Sequence, residues 1–287
     1  MEARKRYVLI TGCGQGGIGE ALVKEYAKHG VEPIATLLPG EPYGHLDQAG
    51  IMHFPLDVTK EASVIELKKS VHAVTNGFLD ILINNAGIAY TMTAIDTDVS
   101  AVQAMFNVNV FGPMRMVHHF HDLLIASSGM IVNIGSIGGI VPYVYGASYN
   151  ASKAALQHWS NTLRIEMAPL DVKVLTIISG EIGTNILKND YQRELPEGSY
   201  YSPLANEFKQ HVQRTPNTTD RFAYAKRVVQ KSLSLHPPAW FWCGKATFIV
   251  RLLDTVGWRT IWDSIFSRMF SLEKVRRFKT QSIETRN

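Results

Sequence analysis

The strongest chemical signal in this chain lies in Tyr149-Asn150-Ala151-Ser152-Lys153, which sets a phenol and an ammonium four positions apart. On a helix that spacing puts both side chains on one face, one turn apart. A phenol with a pKa of about 10 is a poor acid-base catalyst near neutral pH, and a neighbouring cation stabilises the phenolate and lowers that value. Ser136, in Asn133-Ile134-Gly135-Ser136, follows an apolar run and precedes Tyr149 by thirteen positions. Both hydroxyls can therefore converge on one carbonyl oxygen at the ends of strands. Asn109, in Phe106-Asn107-Val108-Asn109-Val110, is a polar residue on an otherwise apolar helical face and needs a partner there, such as a bound water. Tyr-x-x-x-Lys also arises by chance on many helices. Ser136 with a histidine and an acid would suit a hydrolase, but no Gly-x-Ser-x-Gly elbow surrounds it.

A second signal is the run Thr11-Gly12-Cys13-Gly14-Gln15-Gly16-Gly17-Ile18-Gly19, directly after a strand-like segment and directly before the helical Glu20 to Tyr26. A strand-to-helix turn without side chains lets backbone N–H groups approach a pyrophosphate, and the helix N-terminus adds favourable partial charge. A dinucleotide is the natural ligand, an ordinary tight turn the competing reading. Asp57, after Phe54-Pro55-Leu56, can accept from an adenine amino group or, with Val58 and Thr59, cap a helix.

These residues need a frame that brings them to one edge. Short β-branched runs at Tyr7 to Thr11, Glu32 to Leu37, Leu79 to Asn84, Met130 to Ile134 and Val172 to Ile178 alternate with helical patterns at Ile18 to Lys28, Ser63 to Thr75, Ala101 to Leu124 and Tyr149 to Met167. Such alternation marks βαβ units, and strands apolar throughout mark a parallel sheet covered on both faces. The fold class expected is α/β, a single doubly wound parallel sheet with helices on both faces and a C-terminal helical extension. Residues 1–238 form the dinucleotide-binding and catalytic domain, with a substrate lid over about 187–235. There Pro196, Pro203 and Pro216 interrupt a polar segment, and Arg221 to Ser234 is helical before His236-Pro237-Pro238 stops it. Residues 239–287 form an aromatic extension of two short helices broken near Gly257, followed by a basic tail containing Lys274, Arg276, Arg277 and Lys279.

With 287 residues, 46% of them hydrophobic and 19% charged, the chain can bury one large core. Its formal charge of +4 is dispersed, which argues against a nucleic-acid partner. Cys13 and Cys243 have no metal-ligand spacing and suit a reducing compartment. Met1 to Arg6 runs straight into the first strand and leaves no room for a signal peptide. A cytoplasmic location follows, with peripheral attachment to endoplasmic reticulum or lipid droplets as the alternative. His118, His119 and His121 read as a solvated helix face, so no metal site is expected. The aromatic extension is too often interrupted by charge to span a bilayer. Its apolar faces can close the cleft, pack a partner subunit or lie in a membrane interface.

Taken in order, Thr11-Gly12 to Gly19, Asn84-Asn85-Ala86-Gly87, Asn109, Ser136, Tyr149 to Lys153 and Ser179-Gly180 to Thr184 resemble the classical short-chain dehydrogenase/reductase family over about residues 5 to 190. To about residue 270 the chain is similar to fungal reductases of the 1-acyldihydroxyacetone-phosphate reductase type. The resemblance implies hydride transfer between nicotinamide and a ketone or secondary alcohol. Tyr149 would protonate the carbonyl oxygen, Lys153 would hold the nicotinamide ribose and depress the phenol, Ser136 would orient the carbonyl, and Asn109 would hold a relay water. Gly12, Gly17, Ile18 and Gly19 would meet the pyrophosphate, with Gly16 the alternative to Gly17. Asp57 would meet the adenine, Asn85, Ala86 and Gly87 the adenosine-side ribose, and Ile182 and Thr184 the nicotinamide amide.

Three departures stand out from the family pattern. The glycine turn is one residue longer than usual, and Ser179 replaces the usual proline before Gly180. The second strand ends Ala35-Thr36-Leu37-Leu38, without the arginine near Leu38 of similar NADPH enzymes or the acid near Thr36 of NAD enzymes. NADP is expected from the subgroup, with NAD not excluded. A lipophilic carbonyl substrate is expected, an acyl-glycerone phosphate or a secondary-metabolite intermediate, in a homo-oligomer. A non-catalytic nucleotide-binding regulator or membrane-associated scaffold of the same fold is the competing function.

Overall fold

The structure, a computed structural model, describes residues 4–214, 216 and 218–284, with the side chains of 189 and 279–284 left aside. Lys279, assigned to the basic tail, therefore lies outside the described side chains.

Seven strands form one parallel sheet: β1 (Arg6–Ile10), β2 (Val31–Leu37), β3 (Met52–Pro55), β4 (Ile81–Asn84), β5 (Met130–Ile134), β6 (Lys173–Ser179) and β7 (Trp240–Cys243). Their spatial order is β3-β2-β1-β4-β5-β6-β7. The helices between and beyond them are α1 (Ile18–Lys28), α2 (Gly44–Asp47), α3 (Glu61–Thr75), α4 (Val99–Phe106), α5 (Gly112–Ala126), α6 (Ala147–Met167), α7 (Ala205–Val212), α8 (Arg221–Ser232), α9 (Thr247–Val256), α10 (Ile261–Met269) and α11 (Glu273–Glu284). The strand order reverses between β1 and β4, which opens a crevice at their carboxyl ends, the place where doubly wound sheets bind ligands.

β4 and β5 are buried at every position, as a central strand covered on both faces must be. On one face Leu22, Tyr26, Tyr224 and Val228 of α1 and α8 pack with Val8, Ile83 and Val132. On the other, Leu67, Phe120, Leu124 and Leu163 of α3, α5 and α6 pack with Leu9, Leu82 and Ile131. A third cluster lies above the strand ends, where Trp262, Phe266 and Phe270 meet Tyr145, Phe208 and Val212.

Two elements differ from the expectation. The sheet does not end at residue 238, because Thr176 to Ser179 of β6 pair in parallel with Trp240 to Cys243. The first residues of the expected helical extension are thus a strand reached by crossover through α8. Pro237 and Pro238 stop that helix but do not end the sheet. The long helix over Ala101 to Leu124 is broken by a π-helical turn, Asn107–Phe111. Such turns are frequent at functional sites, and this one holds Asn109.

Candidate active site

Ser136 leaves β5 through Gly135, where a Cβ would stand 2.9 Å from the Ile177 carbonyl and 3.0 Å from Gln157 Nε2. Gln157 Nε2 donates to the Ser136 carbonyl at 2.6 Å, and the Ser136 hydroxyl accepts from Gly138 N–H at 3.0 Å. The serine is thereby fixed from both sides. Tyr149 and Lys153 project from the first turns of α6, and Tyr149 lines the same cleft as Ser136. Lys153 Nζ donates to the Ile134 carbonyl at 3.0 Å and stands 5.8 Å from the centroid of the Tyr149 ring.

Burial decides the protonation of both groups. It pushes the Lys153 ammonium down from 10.5 to about 8. It also pushes the Tyr149 phenol above its ordinary value, while a hydrogen bond with Ser136 pulls it part of the way back. The expected depression of the phenol by Lys153 is not what prevails, because desolvation of the phenolate outweighs every favourable contact. The pair is therefore poised as a protonated phenol beside an easily deprotonated ammonium.

The mid-helix Asn109 has its reason in the π turn. Its Oδ1 accepts from Ile88 N–H at 2.9 Å, and its Nδ2 donates to the Ile88 carbonyl at 2.9 Å and the Ser152 hydroxyl at 3.1 Å. Both amide hydrogens are spent on protein, so Asn109 ties the segment after β4 to α6. A Cβ on Gly87 would lie 3.3 Å from Asn109 Oδ1 and 3.6 Å from Lys153 Nζ.

The glycine turn is built for close approach. Gly12 has φ +71°, and a Cβ there would stand 2.9 Å from Ala86 Cα. A Cβ on Gly19 would run into the Gly12 carbonyl. Gly17 is the N-cap of α1, bonded through its N–H to the Gly14 carbonyl at 3.1 Å, and has no side chain to cap the helix. The N–H groups of Ile18 and its neighbours are those an anion can take. Gly16, at φ +81°, gives its N–H to the Glu20 carboxylate at 2.7 Å and lines the cleft, whereas Gly17 caps α1.

Asn85 also serves the turn. Its Nδ2 donates to the Thr11 and Gly12 carbonyls at 2.8 and 2.9 Å, while the Thr11 hydroxyl accepts from the N–H groups of Asn85 and Ala86. Asp57 accepts from Thr59 N–H and Oγ1 at 3.0 and 2.6 Å and lies 3.3 Å from Lys60 Nζ, contacts that hold its carboxyl below the usual range against the opposing effect of burial. It closes a local turn. The N-cap of α3 is Lys60, so the capping alternative for Asp57 is not what the structure has.

Ile182 and Thr184 line the cleft, and Asn185 Nδ2 reaches across to the Gln15 carbonyl at 3.1 Å. Ser179, in place of the expected proline, shares a 2.7 Å hydrogen bond with the buried Tyr224 hydroxyl. The cleft measures about 400 Å³. His119 bonds to Glu61, and among the described residues no cluster could hold a metal ion.

Sequence reasoning missed Glu20, Gln157, Arg221 and Glu41, which act only through contacts made by folding. Glu41 returns from the loop after β2, and its carboxylate accepts from Leu38 N–H at 3.2 Å beside Gly14, whose Cβ it would obstruct. An acid thus stands beside the glycine turn despite its absence from the end of β2. A carboxylate there accepts from a ribose 2′-hydroxyl and repels a 2′-phosphate. Glu41→Gln should raise affinity for NADPH relative to NADH by about three- to tenfold, read by nicotinamide fluorescence titration. An unchanged ratio would remove Glu41 from cofactor selection.

Residues 6–195 match the model of the family described as short chain dehydrogenase. The chain belongs to the short-chain dehydrogenase family. Short-chain dehydrogenase virD of Hypocrea virens is 68% identical over 276 residues, covering 96% of each chain. The NADPH-dependent 1-acyldihydroxyacetone phosphate reductase of Schizosaccharomyces pombe is 42% identical over 226 residues, covering 77% of this chain and 75% of that one. That similarity agrees with the fungal reductase subgroup expected from the sequence. Among solved structures, a short-chain dehydrogenase from Streptomyces avermitilis superposes with a TM-score of 0.74 at 24% identity, covering 96% of this chain and 99% of that one. The short-chain dehydrogenase fold and an oxidoreductase function are thereby established for this chain.

Proposed function

We propose that this oxidoreductase uses NADP(H) to interconvert a ketone and a secondary alcohol on a lipophilic substrate, chiefly as a reductase. The observation that carries the reading is the convergence of the Ser136 and Tyr149 hydroxyls on one cleft, with Lys153 behind the phenol. The glycine turn suits a dinucleotide because Gly17 leaves the first N–H groups of α1 without a side-chain cap, while Gly12 and Gly19 let the turn pack tightly on Ala86 and on itself. When bound, the nicotinamide supplies the hydride. Ser136 donates to the substrate carbonyl oxygen and orients it. Tyr149, kept protonated by burial, gives its proton to that oxygen, and Lys153 stabilises the phenolate left behind.

NADP rather than NAD is supported by the named cofactor preference of the Schizosaccharomyces pombe relative, while the Glu41 carboxylate is the observation that favours NAD, and the Glu41→Gln titration decides between them. Val141, Val144, Ile182 and Leu187 give the cleft its apolar walls, which favours a lipophilic carbonyl compound. An acyl-glycerone phosphate or a secondary-metabolite intermediate fits that description, and the non-catalytic alternative leaves the fixed Ser136 and the buried Lys153 without a purpose. The test is NADPH consumption at 340 nm over a panel of ketones graded in chain length. Turnover should rise with apolar length, and absence of turnover with every member would overturn the reductase reading.

The 239–287 segment supports peripheral attachment to endoplasmic reticulum or lipid droplets. No described helix is long and apolar enough to cross a membrane, but Phe248 and Trp258 are 80% and 69% exposed beside Arg251 and Arg259. Truncation at residue 238 would remove β7, so substitution is the better probe. Phe248→Glu combined with Trp258→Glu should abolish co-sedimentation with anionic liposomes. Equal pelleting of wild type and variant would contradict attachment through this face.

A further inference from the structure

We propose that Arg221 is a diphosphate-binding residue of the dinucleotide site, supplied by α8 to the glycine turn of β1 and α1. The inference rests on the dinucleotide reading above and adds to it a cation that lies outside the glycine turn and the reactive triad. Arg221 opens α8, whose N-terminal N–H groups at Phe222 and Ala223 are already capped by Asp220 at 3.0 and 2.9 Å. Arg221 lines the cleft together with Gly16 and Thr184, its guanidinium 4.7 Å from the centroid of the Phe222 ring. The Nε atom is buried without a hydrogen-bond partner among the described residues.

A buried N–H left unpaired carries the cost of desolvation with nothing gained, unless a ligand supplies the acceptor. The nearest protein anion does not fill that role. Glu20 Oε2 is 3.9 Å from Arg221 Nη2, beyond hydrogen-bonding range, and the carboxylate is already served by Lys24 Nζ at 2.6 Å and Gly16 N–H at 2.7 Å. Glu20 places negative charge beside Gly16 at the turn and Lys24 answers it, which leaves the Arg221 cation free to meet a diphosphate there. The planar fork of a guanidinium matches two phosphate oxygens at once, so the chemistry recognised is a diphosphate ester.

Arg221 could instead serve only to soften Glu20, and the test separates the two roles. Dissociation constants for NADPH are measured by nicotinamide fluorescence with wild type, Arg221→Met, Arg221→Lys, Glu20→Gln and the Glu20→Gln, Arg221→Met double variant. Gln at position 20 keeps an acceptor for Gly16 N–H and removes only the charge. Arg221→Met should weaken NADPH about tenfold or more, Arg221→Lys should recover part of the loss, and the double variant should stay weak. Binding within twofold of wild type in Arg221→Met, or full recovery in the double variant, would overturn the assignment. Should Arg221→Met fail to fold, Arg221→Gln takes its place, and binding within twofold of wild type in that variant would overturn it as well. Failure of wild type to bind NADPH or NADH would sink the dinucleotide reading itself, an outcome distinct from a tight-binding Arg221→Met.

Discussion

Tyr149→Phe should lower kcat for carbonyl reduction by about a thousandfold, while NADPH binds within a few-fold of its wild-type affinity. The ring remains and keeps its packing, so the change isolates the hydroxyl. In the reducing direction the hydroxyl must be protonated, and burial raises its pKa above the ordinary phenol value. The acid form therefore persists throughout the neutral and mildly alkaline range. Ser136 stays fixed by Gln157 and Gly138 in the variant, so substrate is still oriented but receives no proton. A rate loss below about tenfold would mean that another group protonates the oxygen.

Lys153→Met should lose about a hundredfold or more in kcat and yet gain stability near neutral pH. The sign follows from proton binding in the two states. The folded pKa is about 8, against 10.5 for the unperturbed group. Below pH 8 both states hold the proton and the folded protein bears the full desolvation penalty, of the order of 3 kcal/mol. From about pH 8 to 10.5 the unfolded chain holds more protons than the folded one, so wild-type stability rises with pH through that window. Methionine removes the penalty but orphans the Ile134 carbonyl, at a cost of about 1 kcal/mol. Urea unfolding should show the variant ahead at pH 7 and the advantage vanishing by about pH 10.5. A difference that is flat with pH would contradict the buried-ammonium account. In wild type the same titration should bring kcat/KM down above about pH 8, because the ammonium that stabilises the phenolate is lost there while Tyr149 is still protonated.

The layout of the sheet was legible because parallel central strands are apolar on both faces, and Leu9, Ile83 and Val132 report that directly. The Tyr149 to Lys153 spacing was legible because helical periodicity alone sets which side chains share a face. β7 was obscured by Pro237 and Pro238, which mark the end of α8 and say nothing about the sheet beyond. Glu41 and Arg221 escaped because each reaches the glycine turn from a loop or helix distant in sequence. The hydrogen bonds of Asn85 and Asn109 to backbone could not be read from residue type. The direction of the Tyr149 shift escaped for a different reason. Spacing identifies the cation that lowers a phenol pKa, whereas the burial that raises it is a property of the packed cleft.

The proposed chemistry requires Tyr149, Lys153 and Ser136 to act on a carbonyl beside a bound nicotinamide. Its most direct test is single-turnover reduction of a long-chain ketone by NADPH deuterated at the transferring C4 position, with the product analysed by mass spectrometry. Deuterium should appear on the carbinol carbon with wild type, and labelling should be about a thousandfold slower with Tyr149→Phe at matched NADPH occupancy. Label that is absent from wild-type product, or that appears equally fast in both proteins, would contradict the proposed chemistry.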